Sequence, residues 1–389
     1  MKIAILTQPL HTNYGGILQA YALQTFLQNQ GHEVVVVNRE YDFRLSPKLI
    51  LLRIGSVLKT CLRLFVLRDR EYYIMNPFSP FYRTKWSGYY ILPFVKQYIN
   101  HSAEIRSSKS LRKYFKKNKF DCYIVGSDQV WRPSYSPCIT DFFLKEIPIN
   151  EASIKVAYAA SFGTDKWEFT EDETKECSLL ALRFDAVSVR EKSGIKLCKE
   201  YLGVESSHLL DPTMLLDIDV YQRLFENAKV SKSTGDLLCY VLDKNDGIGS
   251  IVQSLVNDGY IPNYLSLSVE LTDNNTRPYQ KSVEEWLRGF YDAELVITDS
   301  FHACVFAIIF NKPFIAWNNV SRGNARFDSL LSQFDLQDRL IDSYSDFEAR
   351  KRELLSPLDK EKITTILEFY RDKSYNFFNK IGLKISFPK

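Results

Sequence analysis

Residues 1–38 read MKIAILTQPLHTNYGGILQAYALQTFLQNQGHEVVVVN, and the fold is decided by how this stretch is parsed. Lys2 to Thr7 is a short apolar run with a strand pattern, Gly16 to Gln30 has the apolar spacing of a helix, and Glu33 to Asn38 is a second, valine-rich run. Strand, helix and strand make a βαβ opening. The same grammar returns at Asp121 to Gly126, Lys155 to Ala160, Ala186 to Arg190, Leu237 to Leu242 and Leu295 to Thr298. Short β-rich runs separated by helical stretches predict parallel sheets with helices on both faces. A chain of 389 residues exceeds the size at which one hydrophobic core keeps growing, so two domains are expected. The fold class is therefore α/β, with two Rossmann-like doubly wound domains facing a cleft. The expected boundary follows Leu209-Leu210-Asp211-Pro212-Thr213, where an apolar run ends in a proline turn. That places the domains at residues 1–212 and 213–345, with a helical segment, 346–389, packing back on the first. Sheets of this kind bind ligands outside the carboxyl ends of their strands.

The bulk composition narrows the function classes. With 45% hydrophobic and 25% charged residues, the chain reads as globular. A net charge of only +3 gives no whole-surface attraction to nucleic acid, so an anionic ligand must be held by local basic groups. Seven scattered cysteines have neither zinc-site nor disulfide spacing, which predicts reduced thiols. The opening is a strand pattern without the regions of a signal peptide, and no apolar run reaches the roughly 18 to 20 residues of a membrane span. The expectation is a cytoplasmic protein. One segment breaks the alternation: Ser46 to Arg70 reads as a basic amphipathic helix carrying Lys48, Arg53, Lys59, Arg63, Arg68 and Arg70. It fits either a surface helix covering the first domain or peripheral contact with the inner face of an anionic membrane.

Several loops at strand ends hold groups that could bind or react. Asn13-Tyr14-Gly15-Gly16 precedes the first helix, where two glycines permit close backbone approach and helix amides face a ligand. A tight turn is the competing reading. Gly126-Ser127-Asp128-Gln129-Val130-Trp131 gathers a carboxylate, an amide, a hydroxyl and an indole, which suits gripping a sugar, although Asp128 or Ser127 could simply cap the next segment. Arg190 ends a strand and could hold a carboxylate or phosphate through two parallel hydrogen bonds, or pair with Glu191. Thr298-Asp299-Ser300-Phe301-His302-Ala303 sets a histidine and a serine hydroxyl in the first turn of a helix, where the dipole favours a bound anion. Arg322 and Arg326 share a glycine-containing loop that could collect a phosphate. No metal-ligand spacing stands out, while Asp128 and Asp299 could still meet around an ion in space.

Taken in order, Asn13-Tyr14-Gly15-Gly16 followed by Leu18 to Gln24, Gly126 to Trp131, Val189-Arg190-Glu191, Asp211-Pro212-Thr213, Asp299-Ser300-Phe301-His302 and Arg322 to Arg326 resemble the polysaccharide pyruvyltransferase family. The resemblance runs from residue 1 to about residue 335. It implies a fold similar to the two-domain GT-B glycosyltransferases and the co-substrate phosphoenolpyruvate bound between domains, with no other cofactor and no metal. It also implies roles: Arg190 on the donor's phosphate or carboxylate, His302 as the acid, Arg326 completing an anion site with Arg322 and Ser300. The acceptor side would fall to Asn13, Tyr14, Gly15, Gly16, Asp128, Gln129 and Trp131. Where the family usually has glycine after the histidine, this chain has Ala303. The implied reaction is ketal formation on two hydroxyls of a hexose or N-acetylhexosamine, in a capsular, exopolysaccharide or cell-wall glycan whose acceptor could be polyprenyl-diphosphate-linked. Two rivals stand beside it: a nucleotide-sugar glycosyltransferase on the same architecture, and a non-catalytic glycan-binding protein of a biosynthetic complex.

Overall fold

The computed structural model describes residues 1–10, 13–42, 91–149, 151–243, 245–265, 268–272, 275–279, 281–318 and 325–385. The expected helix at 46–70, with its membrane question, and Arg322 lie outside the described residues. Six parallel strands make the first sheet: β1 (Lys2–Leu6), β2 (Glu33–Val37), β3 (Cys122–Val125), β4 (Ile154–Ala160), β5 (Ala186–Val189) and β6 (Ser207–His208), in the order β2-β1-β3-β4-β5-β6. The second sheet is also parallel. It uses β7 (Leu237–Tyr240), β8 (Pro262–Tyr264), β11 (Leu295–Thr298), β12 (Phe314–Trp317) and β13 (Leu340–Ile341), in the order β13-β12-β11-β7-β8. Between β8 and β11 an antiparallel hairpin, β9 (Ser268–Thr272) and β10 (Asn275–Tyr279), stands outside both sheets. Strands β6, β8 and β13 carry no strand signal in the sequence: none exceeds three residues, and each is an edge strand.

The helices of the first half are α1 (Tyr14–Asn29), α2 (Leu92–Tyr98), α3 (Ser108–Lys117), α4 (Glu171–Ala181) and α5 (Lys192–Leu197). Those of the second half are α6 (Ile218–Asn227), α7 (Asp246–Asn257), α8 (Val283–Asp292), α9 (Phe301–Ile309), α10 (Ala325–Gln333), α11 (Tyr344–Leu354) and α12 (Lys360–Lys380). Ile3 to Leu6, Cys122 to Val125 and Leu295 to Ile297 are buried because helices cover both faces of each sheet. The apolar residues of α1 run around the whole helix, since it lies between the first sheet and the second half of the chain. Helix α12 returns to the first half, where Tyr375 stacks on Phe26 at 5.5 Å and Phe378 on Tyr158 at 4.6 Å. Its Arg371 donates to the carbonyls of Met214 and Leu216 and to Asp217, which fastens the crossing between the halves.

In each sheet the chain reverses its direction of travel at one place. In the first it is between β1 and β3, and in the second between β7 and β11. There neighbouring loops leave the strand ends in opposite directions and open a crevice. Residues 7–10, 13 and 126–131 flank the first crevice, and residues 241–243, 245 and 299–302 the second.

Candidate active site

Three buried polar groups build the first crevice before any ligand-facing residue is considered. Gln19, on α1, donates to the Thr7 hydroxyl at 2.7 Å and accepts from the Ser127 amide at 2.9 Å, while Thr7 donates to the Ser127 carbonyl at 3.0 Å. This lock fixes the loop after β3 against α1. Gly126 is required there, because a Cβ would come within 2.1 Å of the Tyr158 carbonyl oxygen. Ser127 then donates to the Ala159 carbonyl and reaches Asp211 Oδ2 at 3.3 Å.

Asp211 is the centre of the arrangement. Its Oδ1 accepts from the amide and hydroxyl of Thr213, so the proline turn that follows holds the carboxylate in place. Its Oδ2 accepts from Arg190 Nη1 at 2.8 Å and lies 3.5 Å from His302 Nε2. Arg190 Nη1 is in turn 3.3 Å from His302 Nε2, and Nη2 donates to Asp128 Oδ1 at 3.3 Å. An aspartate from the crossing, an arginine from the first sheet and a histidine from the second therefore meet within hydrogen-bond reach, all nearly excluded from water. Burial alone would raise the Asp211 pKa. The hydrogen bond and charge of His302, with those of Arg190, outweigh it and hold the carboxyl well below the usual carboxylate range. For Arg190, burial works downward and the carboxylates of Asp211, Asp128 and Glu191 overcome it, so the guanidinium titrates above its ordinary value. Both protonation states of the imidazole have a partner: Arg190 can donate to an unprotonated Nε2, and Asp211 can accept an Nε2 proton.

The glycine pair is explained by the same junction. A Cβ on Gly15 would fall 2.0 Å from His302 Nδ1, and one on Gly16 3.2 Å from Asp128 Oδ2. Asn13 caps α1 by accepting from the Gly16 amide. The first turns of α1 and α9 thus face each other across the imidazole, and two helix N-termini converge where an anion would be favoured. Ser300 precedes α9 with its hydroxyl not engaged as a cap. Phe301 forms a floor, with the guanidinium carbon of Arg190 4.4 Å and that of Arg326 5.9 Å from its ring centroid. The Arg326 pKa is pulled down to about 10, first by burial and then by the neighbouring charge of Arg190. Two cations held this close in low dielectric favour an anion beside them.

Several candidates have structural duties instead. Trp131 is fully buried, stacks on Phe143 at 4.9 Å and donates its indole N–H to the Phe142 carbonyl. It therefore cannot offer a face to a sugar, as expected of it from the sequence; the loop turns it inward because the apolar ring gains more from the core than from the crevice. Tyr14 is likewise buried: it stacks on Trp286 at 5.3 Å and donates to the Lys281 carbonyl at 2.5 Å, which joins the two halves. With Gly15 and Gly16 packed as described, these three shape the junction and present no open acceptor surface. Asp299 accepts from the Leu242 and Asp243 amides, which pins the second crevice. Glu191 accepts from Ser161 and from the amides of Phe162 and Gly163, not from Arg190. Gln129 is part-exposed at the rim, where its Oε1 accepts from Arg132 Nη1. Among the described residues no group of three His, Cys, Asp or Glu side chains is placed to hold a metal ion.

Against known proteins, the sequence pattern described as polysaccharide pyruvyl transferase matches residues 13–319. The chain belongs to the polysaccharide pyruvyl transferase family. The match begins at Asn13 and takes in Asp128, Arg190, Asp211 and His302, while Arg326 falls beyond its end. No curated protein matches the chain. Among solved structures it is similar to S. aureus MnaA, solved with UDP, at 12% identity, covering 100% of this chain and 99% of that one with a TM-score of 0.47. It is also similar to the UDP-GlcNAc 2-epimerase of Neisseria meningitidis bound to UDP-GlcNAc, at 12% identity, 99% and 97% coverage and a TM-score of 0.46. The E. coli ADP-heptose LPS heptosyltransferase II follows at 10% identity, 95% and 99% coverage and a TM-score of 0.38.

Asp211 and Phe301 were not singled out from the sequence as site residues. In the sequence Asp211 reads as part of a boundary turn and of the motif Asp211-Pro212-Thr213, with no role of its own. Its signal was an apolar run ending in aspartate, the pattern that also ends β11 in Asp299.

Proposed function

We propose that this member of the family transfers the pyruvate unit of phosphoenolpyruvate to two hydroxyls of a hexose or N-acetylhexosamine in a surface glycan. One observation carries the reading: Arg190 and His302, from opposite sheets, meet at 3.3 Å over Asp211, beside the switch points of both. Protonation of C3 turns the enol double bond into a methyl group and leaves an oxocarbenium centre at C2. A sugar hydroxyl adds there and loses its proton, the C2–O bond breaks as phosphate leaves and takes up a proton, and the second hydroxyl adds to C2 and loses its own proton to close the ketal. The net products are the ketal and inorganic phosphate. His302 serves as the acid. Arg326, the two helix N-termini and the Ser300 hydroxyl hold the donor's anionic groups. Arg190 has both terminal nitrogens engaged by carboxylates, so it orients His302 and meets the donor through its Asp128 side, the longer of the two contacts.

Incubation with phosphoenolpyruvate and a panel of galactose- and N-acetylmannosamine-bearing acceptors tests the proposal. The expected result is a sugar heavier by one ketal and an equal amount of phosphate. Hydrolysis of a sugar nucleotide, with phosphoenolpyruvate left intact, would instead establish the glycosyltransferase alternative.

A further inference from the structure

With Trp131, Tyr14 and both glycines turned inward, an acceptor sugar needs another surface, and the next residues along the same loop supply one. Tyr135 is 44% exposed. The guanidinium of Arg132 covers one face of its ring at 4.5 Å. Arg132 is itself clamped: its Nε and Nη2 donate to the two oxygens of Glu168, both at 3.0 Å, and its Nη1 donates to Gln129 Oε1 at 3.2 Å. The Tyr135 carbonyl accepts from the Tyr41 hydroxyl at 2.6 Å, which anchors the backbone under the ring. An aromatic ring braced from behind, beside an amide, a guanidinium and a carboxylate already fixed in one geometry, binds with little loss of side-chain freedom. The ledge is continuous with the reacting cluster. Gln129 follows Asp128, which Arg190 holds, and Arg326, whose pKa is lowered first by burial and then by Arg190, also feels a smaller repulsion from Arg132.

We infer that Tyr135, Arg132, Glu168 and Gln129 form the acceptor subsite, on which a pyranoside lays a C–H face against Tyr135 and its hydroxyls against the three polar side chains. This rests on the pyruvyl-transfer reading, since it assigns the sugar that reaction would modify. Glu168 remains 33% exposed and has lone pairs to accept from sugar hydroxyls, and the Gln129 amide supplies both a donor and an acceptor. Tyr135 would then discriminate sugars by the continuity of their C–H face, while the polar residues read the orientation of neighbouring hydroxyls.

The test separates binding from turnover. Saturation-transfer NMR with methyl β-galactoside and methyl N-acetyl-β-mannosaminide reports contact with the wild-type protein, and calorimetry reports phosphoenolpyruvate affinity. Tyr135→Ala is expected to weaken binding of the recognised glycoside about tenfold with donor affinity unchanged. Glu168→Gln, which leaves the ring in place, is expected to weaken it severalfold with the same donor affinity. Undiminished glycoside binding in Tyr135→Ala, or no glycoside contact in the wild type, overturns the subsite. A glycoside bound in a Tyr135-dependent way, with no phosphate released from phosphoenolpyruvate, overturns the pyruvyl-transfer reading and leaves the sugar ledge in place.

Discussion

Gly15→Ala isolates the junction between α1 and His302 without removing any functional group. The added Cβ would meet Nδ1 at 2.0 Å, and ordinary contact begins at 3.4 Å, so ring or helix must retreat by 3.4 − 2.0, about 1.4 Å. The substitution favours the helix by roughly 0.8–1 kcal/mol, since alanine replaces glycine in its first turn. Overpacking opposes this by about 1–3 kcal/mol, because the imidazole is hemmed in by Phe301, Arg190 and Asp211. Net stability should therefore fall by no more than about 2 kcal/mol, and the protein should remain folded. Function should suffer far more, since a displacement of about 1 Å in a catalytic group can cost on the order of 100-fold. Gly16→Ala is the internal control: its Cβ stands 3.2 Å from Asp128 Oδ2, which needs a shift of only a few tenths of an ångström. Phosphate release from phosphoenolpyruvate in the presence of acceptor, read beside chemical denaturation, compares the two variants. Equal turnover in Gly15→Ala and wild type would refute the argument that this glycine exists to admit the imidazole.

Asp211→Asn leaves Arg190 without its closest partner and should destabilise the protein by about 3–5 kcal/mol, as seen when one member of a buried ion pair is removed. Because the native carboxyl titrates below its unfolded value, its contribution is complete above roughly pH 4 and is lost as pH falls further; urea unfolding from pH 7 to pH 3 should show that acid limb in the wild type and a flatter one in the variant. Arg326 has the opposite sign: its pKa is lowered to about 10, so its charge disfavours the empty folded state at neutral pH and is relieved only as pH rises through that value. Arg326→Leu should therefore raise the melting temperature without ligand and abolish the rise that the proposed donor, phosphoenolpyruvate, is expected to produce in the wild type; a donor-induced shift of unchanged size would contradict its role. Tyr14→Phe keeps the stack on Trp286 and loses the bond to the Lys281 carbonyl, for which denaturation should read about 0.5–1.5 kcal/mol.

Much of the architecture was legible along the chain because strands buried on both faces are written as contiguous apolar runs. Lys2 to Leu6, Cys122 to Val125, Ala186 to Val189 and Leu295 to Thr298 all fall inside the stretches read as strands, and the loops expected to carry chemistry do leave their carboxyl ends. His302 and Arg190 could be nominated for the same reason: each lies within four residues of the end of such a run. Which way a loop side chain turns has no such record. Trp131 and Gln129 are two residues apart, yet one enters the core and the other reaches the rim, and that choice depends on Phe142 and Phe143 arriving from further along the chain and on Glu168, which holds the Arg132 that Gln129 meets. Sequence by itself thus determined the alternation of strand and helix and the loops where polar groups would gather, since both follow from local periodicity and turn chemistry. Only the tertiary structure decided that Asp211 would bind a histidine 91 residues away and an arginine 21 residues away, and that Gly15 would be the space in which that histidine sits. Those facts depend on the docking of two sheets and the helix between them, a long-range packing that no local pattern encodes.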